Sequence, residues 1–240
     1  MAKRTGRGFG HDPHGKVIFN MADAHDGAWD FAAPLLEAEK WPAMCVLTTT
    51  RVDGAGGLTT AECQTLYARQ WDMAVHCYTH VDPTGLPDDA DGVAPWDVGS
   101  LHEQLYEGLA FLAGAGLDGR RKIYAPPFAM NQHVSDEAIA AGYHYAFFTD
   151  FGSSSRVPWP YTFQWRSGQD LVVTMEQIKG YLELIRMQPH KVVVLNLEHV
   201  VAPPAAGTET STTRLAEIIQ LMKDMRITPT TMTELSRRWR

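Results

Sequence analysis

Apolar residues cluster along this chain in short runs of two kinds. Lys16–Ala22 (KVIFNMA), Pro42–Thr48, Trp71–His76 and Lys191–Leu197 (KVVVLNL) are nearly continuous apolar runs of strand length. Shorter strand signals lie at Lys122–Ala125 and Tyr143–Thr149. Between them the apolar spacing widens to the helical period and predicts helices over Ala28–Glu39, Thr60–Arg69, Ser100–Ala113, Ser135–Ala141, Met175–Met187 and Thr213–Met225. Thr59 or Thr60 fits a helix N-cap, and Gly142 fits a helix stop. Ser153–Asp170 reads as aromatic and irregular. A stretch rich in Asp, Pro and Gly, from about His80 to Asp97, is too long for a mere connector.

Strand–helix alternation over this length predicts an α/β fold with a parallel sheet. The number of repeats fits a closed or nearly closed (β/α) barrel better than an open sheet. Chemistry in such barrels gathers at the C-terminal ends of the strands. That rule alone selects Asp23, His76, Ala125–Pro126 and Asn196–His199.

Composition narrows the function classes. The chain has 240 residues, 45% of them apolar, enough for one sizeable core. Residues 1–15 read as a loose basic arm and 16–240 as one barrel domain. No apolar run approaches the ~18 residues of a membrane span. The arm carries no apolar segment of the secretory kind, which points to a cytoplasmic or virion-associated protein. A formal charge of −7 gives no global field for nucleic acid, and the basic clusters Arg120–Lys122 and Arg237–Arg240 read as solvated ends of elements. Three cysteines, Cys45, Cys63 and Cys77, match neither a metal knuckle nor a redox pair, and a reducing compartment fits them.

The strongest chemical signal is His76 and His80 in MAVHCYTH. If the chain turns helically there, both imidazoles share a face and can grip one metal. The alternative is two unrelated polar residues at a loop mouth. Asp23 ends another strand on the same expected face. Two His and one carboxylate leave a coordination position open, the pattern of a catalytic site. Zinc suits these donors, as do cobalt, nickel and manganese.

The order of segments resembles the polysaccharide deacetylases, the NodB-homology domain of carbohydrate esterase family 4. That family begins with T-F-D-D-G, followed by a P-L-L segment; here stand Asn20-Met21-Ala22-Asp23-Ala24 and Pro34-Leu35-Leu36. The P-A-T-F-F strand is similar to Pro42–Val46, and H-[ST]-x-x-H to His76–His80. The R-x-P and A-G-Y-x-Y-A segments resemble Tyr124–Phe128 and Ala141–Ala146. The resemblance spans roughly residues 16–235. It implies the family's distorted seven-stranded barrel, metal ligands Asp23, His76 and His80, and hydrolysis of N-acetyl groups on a cell-wall or extracellular polysaccharide. In that chemistry a carboxylate takes a proton from water and a His protonates the leaving amine.

The catalytic letters depart from the family. Its base is replaced by Ala22 and the Arg that holds the base by Ala125, while the Gly after D-D is Ala24. The two losses belong together, because an Arg kept for a carboxylate loses its purpose without it. The late catalytic His corresponds to His199, with Asn196 as the other occupant of that slot. Asp26, beside His25, is a candidate replacement base, and a solvated loop pair is the other reading. His11 and His14 are more remote candidates for the metal. Tyr124, Pro126, Phe128 and Trp165 are candidates for contacting sugar, with loop anchoring as the alternative. Two outcomes follow: a slow or rewired deacetylase, or an inactive glycan-binding or structural module, for instance on a phage tail. Oligomer or virion assembly stays open.

Overall fold

The computed structural model describes residues 15–86, 100–127, 131–146, 162–188 and 191–237, apart from the side chains of 162–165. Seven strands form its main sheet: β1 (Lys16–Met21), β2 (Met44–Thr48), β3 (Asp72–Cys77), β4 (Ile123–Tyr124), β5 (Tyr145–Ala146), β6 (Thr162–Ser167) and β7 (Lys191–Asn196). Their order is β5-β4-β3-β2-β1-β7-β6, and every neighbouring pair is parallel. The sheet curls into a half-barrel flanked by helices. Among the described residues no pairing joins β5 to β6.

Both faces of the sheet are covered, which is why the strands read as continuous apolar runs. Val17, Phe19 and Met21 face one core cluster; the alternate residue Ile18 joins a second cluster with Met44, Val46, Ala74, Ile123, Ala125, Val192 and Val194. The second cluster fills the inside of the curl. Asn20 has the parity of Ile18, so the last polar side chain of β1 belongs to that inner face.

The helices are α1 (Ala33–Ala38), α2 (Thr60–Ala68), α3 (Leu101–Gly114), α4 (Gln132–Ala141), α5 (Met175–Met187), α6 (Thr212–Asp224) and α7 (Met232–Arg237). Their caps follow the sequence. Thr59 Oγ1 accepts from the Glu62 N–H (3.2 Å) while Glu62 accepts from the Thr59 N–H (2.7 Å), a reciprocal capping box. Gly142 closes α4 at φ 108°, a conformation that glycine adopts without a Cβ penalty. The single helix expected over Ala28–Glu39 is instead a π-helical turn, Ala28–Ala32, leading into α1, with Pro34 in its first turn. α4 starts three residues early because Asn131, not Ser135, caps it by accepting from the Val134 N–H.

One expectation is corrected here, and one element is new. The stretch 153–170 is not irregular throughout: β6 lies in it and pairs with β7 over six rungs. After β7 the chain forms a small parallel pair, β8 (Val200–Val201) and β9 (Thr210–Ser211), which the sequence did not announce. The long loop is described only through residue 86 and the Tyr143–Thr149 strand only through residue 146; the N-terminal arm and Arg238–Arg240 fall outside the described residues. Among the described residues no helix is long and apolar enough to cross a membrane.

Candidate metal centre

Three adjacent strands build the site, with the candidate ligands on the outer two, β1 and β3. Asp23 follows β1, Thr48 ends β2, and His76 lies in β3 with His80 just beyond it. Asp23 Oδ1 is 2.8 Å from His80 Nε2 and 3.4 Å from His76 Nε2, and it accepts a hydrogen bond from Thr48 Oγ1 at 3.3 Å. One donor atom from each of Asp23, His76 and His80 lies within 4.8 Å of the others. The two histidines do not share a helical face as expected. His76 is in the strand, and a bend folds His80 back beside it. Gln104 Oε1 fixes that bend by accepting from the N–H groups of Tyr78 (3.0 Å) and Thr79 (2.9 Å), and the His80 N–H points to Cys77 Sγ.

The backbone is strained where the ligands stand. Asp23 (φ 64°), Ala24 (φ 59°) and His80 (φ 60°) are left-handed although none is glycine. Each such residue costs about 1–3 kcal/mol and persists only where surrounding contacts hold it.

The electrostatics suit a cation. Burial alone would raise the Asp23 carboxyl, but the hydrogen bond from His80 and the charges of His76, His80 and Arg51 outweigh it and hold the group well below the usual carboxylate range. Burial brings His76 down to about 4, against the opposing pull of Asp23. His76 Nδ1–H donates to the Ala125 carbonyl, which leaves Nε2 as the lone-pair atom facing Asp23. This is the tautomer a metal ligand needs, with its second nitrogen anchored. An ionised carboxylate, a neutral imidazole with an oriented lone pair and a second imidazole therefore fit a divalent cation with room for further ligands.

A second group borders the first. Asp23 Oδ2 lies 3.4 Å from Arg51 and 3.8 Å from His25 Nε2. His25 stacks on His199 with centroids 4.3 Å apart and planes 13° apart. His199 Nε2 is 3.4 Å from Asp26 and its Nδ1 3.8 Å from Glu209. Burial, then the neighbouring His199, lowers the His25 pKa. His199 and Asp26 are thus brought together as a pair, one ring away from the candidate ligands.

No protein-family model matches the sequence, and no curated protein matches it either. Solved structures do match in fold. A family 4 carbohydrate esterase from Streptomyces lividans, in complex with acetate, superposes with TM-score 0.60 at 15% identity, over 90% of this chain and 92% of that one. A variant of a peptidoglycan deacetylase from Bacillus subtilis gives 0.54 at 13% identity, over 94% and 92%. A family 4 pseudoenzyme from Bacillus anthracis gives 0.57 at 13%, over 92% and 65%.

This chain has the fold of the family 4 carbohydrate esterases. Within that fold Ala22 and Ala125 are both buried, so neither position presents a charged group. Ala125 contributes its carbonyl alone, to His76. Asn196, the other candidate for the late His slot, accepts from Asn20 Nδ2 (2.8 Å) and donates to Glu198 Oε2 (2.7 Å).

The candidate sugar contacts fare less well in this family 4 fold. Tyr124 is fully buried, with its ring against Tyr143 (centroids 5.3 Å), and offers no face to a ligand. Pro126 is buried as well. Both are corrected to core residues beneath the site. Trp165 pairs with Val194 in β6, but its side chain lies outside the described residues, as do Phe128, His11 and His14.

Sequence reasoning missed Arg51 and Glu209, and it gave no role to Glu198 although that residue lies in the selected span Asn196–His199. The Glu198 carboxyl is near enough to Asp23 and His80 for their charges to act on it. Burial raises its pKa, and the Asp23 charge adds to this against the lowering effects of Asn196 and His80. Glu198 is also left-handed, at φ 56°. The signal that could have found it is the pairing of β1 with β7, since Asn20 and Asn196 are partners in register.

Proposed function

We propose that this protein is a metal-dependent hydrolase that removes N-acetyl groups from a polysaccharide or oligosaccharide, with Asp23, His76 and His80 as ligands of a divalent cation, most simply zinc. The observation that carries this reading is the clustering of those three donors at the C-terminal edge of β1 and β3, in a family 4 esterase fold. Such an ion supplies Lewis acidity to a substrate carbonyl and to water. The protein's share is to keep the ligands in the required state. Thr48 fixes the Asp23 carboxylate, and the Ala125 carbonyl fixes the His76 tautomer. His199, paired with Asp26 and Glu209, is the proton donor to the leaving nitrogen.

Elemental analysis of wild type and of the His76→Ala/His80→Ala variant, with acetate release from acetylated chito-oligosaccharides, tests the proposal. Stoichiometric metal that is lost in the variant, with metal-dependent acetate release, is expected. No metal in the reconstituted wild type would reject it.

The paired apolar positions Ala22 and Ala125 favour a second reading, an inactive member that holds glycan in the same cleft. Losing a general base costs roughly 10²–10⁴ in rate. Metal uptake and oligosaccharide binding without acetate release would mark that outcome.

A further inference from the structure

The reading above leaves hydrolysis without a base, and the sheet register shows where one stands. β1 and β7 pair in parallel with Asn20 opposite Asn196, and the Leu197 N–H continues the ladder to the Asn20 carbonyl at 2.9 Å. Counted two residues on from that rung, Glu198 corresponds to Ala22, each just past the end of its strand. A carboxylate absent from the end of one strand is thus present at the end of its neighbour.

We infer that Glu198 is the general base of this site and that Asn196, itself held by Asn20, positions it. Four observations support the assignment, which rests on the proposed metal-dependent deacetylation. Glu198 follows Leu197, whose N–H bonds to the Asn20 carbonyl, so it stands just past β7 beside the end of β1 that leads to Asp23. The tight cluster of three donors forms without Glu198, which leaves it free of ligand duty. Its orientation is built in: Asn20 Nδ2 donates to Asn196 Oδ1 (2.8 Å), Asn196 Nδ2 donates to Glu198 Oε2 (2.7 Å), and the Glu198 N–H returns to Asn196 Oδ1 (3.4 Å). Asp26, the rival carboxylate, is 43% exposed and faces His199 instead.

The step balances as follows. Glu198 takes a proton from the water whose oxygen bonds to the acetamide carbon, and the carbonyl π pair moves to oxygen. The C–N bond then breaks as His199, in its protonated form, gives a proton to nitrogen. Amine and acetic acid leave, the acid loses its proton to solvent, and Glu198 passes its proton back to His199. No oxidant or further reactant is required.

The test compares wild type, Glu198→Gln, Glu198→Asp and Ala22→Asp/Glu198→Gln, all as full-length, metal-reconstituted protein. Metal content, kcat and KM on acetylated chito-oligosaccharides, and thermal midpoint are measured for each. Glu198→Gln is expected to keep wild-type metal and midpoint and to lose about 10²–10⁴ in kcat with little change in KM. Glu198→Asp should retain part of the activity. Ala22→Asp/Glu198→Gln should recover some by returning the carboxylate to β1. Glu198→Gln within about threefold of an active wild type overturns the inference and leaves the deacetylase reading standing. Loss of metal in Glu198→Gln overturns it in favour of a ligand. A metal-loaded wild type with no acetate release overturns the deacetylase reading, and the role of Glu198 falls with it.

Discussion

Asp23 Oδ1 stands 2.8 Å from His80 Nε2, and both residues hold left-handed backbone, at φ 64° and 60°. The contact is bought with strain at both ends, as expected when geometry at a site outranks local comfort. If the pair is half of a metal site, its chemistry is worth more than its packing. Asp23→Asn keeps the shape and removes the charge. It should weaken metal affinity well beyond the ~10–100-fold cost of altering a residue behind a ligand, whereas Thr48→Val should stay near that range. Competition against a metal chelator measures both.

Ala24 tests the same strain from outside the ligand set. At φ 59° and fully enclosed, it pays about 1–2 kcal/mol for a conformation that glycine adopts freely. Ala24→Gly recovers that but loses ~0.8 kcal/mol of methyl burial and ~0.4–1 kcal/mol through the freer unfolded chain. The terms nearly cancel, so stability should change by under about 1 kcal/mol. Ala24→Val, β-branched in a left-handed position, should cost more than about 2 kcal/mol. Urea unfolding of the two variants gives the comparison.

The first three strands, β7 and most helices were legible, because apolar runs buried on both faces and helical spacing leave clear marks. So were Asp23, His76 and His80, as polar residues at strand ends. β6 was not: its TFQWRS segment lies in an aromatic stretch whose alternation is short, and its assignment as a strand depends on pairing with β7. Glu198 fell within the selected strand end, but its role was hidden for a related reason. Its relation to Ala22 exists only once β1 and β7 are known to be neighbours, which no local pattern encodes. Tyr124 misled in the opposite direction, since a tyrosine at a strand end looks like a ligand platform until its burial is known.

Tyr124 yields a prediction of its own. Among the described residues its hydroxyl has no hydrogen-bond partner, and burial pushes its pKa far up. Tyr124→Phe removes a group that is costly to bury, so stability should hold or rise by about 1 kcal/mol. KM should not move if the ring is core. A rise in KM with unchanged stability would return Tyr124 to the substrate-contact role.

Gly27 controls the stacked histidines. A Cβ there would lie 2.0 Å from the Val200 carbonyl and 2.6 Å from the His199 ring. Gly27→Ala should therefore push His199 off His25 and cost about 1–3 kcal/mol. If His199 is the proton donor, kcat should fall more than metal affinity, which calorimetry and initial rates can separate.

Asp72, at the N-terminal end of β3, gives a pH test away from the metal centre. Burial raises its carboxyl pKa, against the hydrogen bond from the Thr233 N–H. Below the unfolded value of 3.8 the carboxyl is neutral in both states and carries no penalty. As pH rises from there through the higher folded value, the unfolded chain releases the proton first and the native state loses stability. Asp72→Asn should match wild type near pH 3 and exceed it by about 1–2 kcal/mol at pH 7. Denaturation across that range checks the sign; a wild type more stable than the variant at pH 7 would refute it.

The hydrogen bond between Asn20 and Asn196 spans 176 positions of chain. A growing polypeptide would have all three candidate ligands in hand by residue 80, yet its first strand would wait for residues 191–196 before its second neighbour arrived. Contacts so distant in sequence form late in folding. If the proposed site is right, metal capture and proton transfer would mature at different times: the first third of the chain would supply the ligands, and the last third the carboxylate.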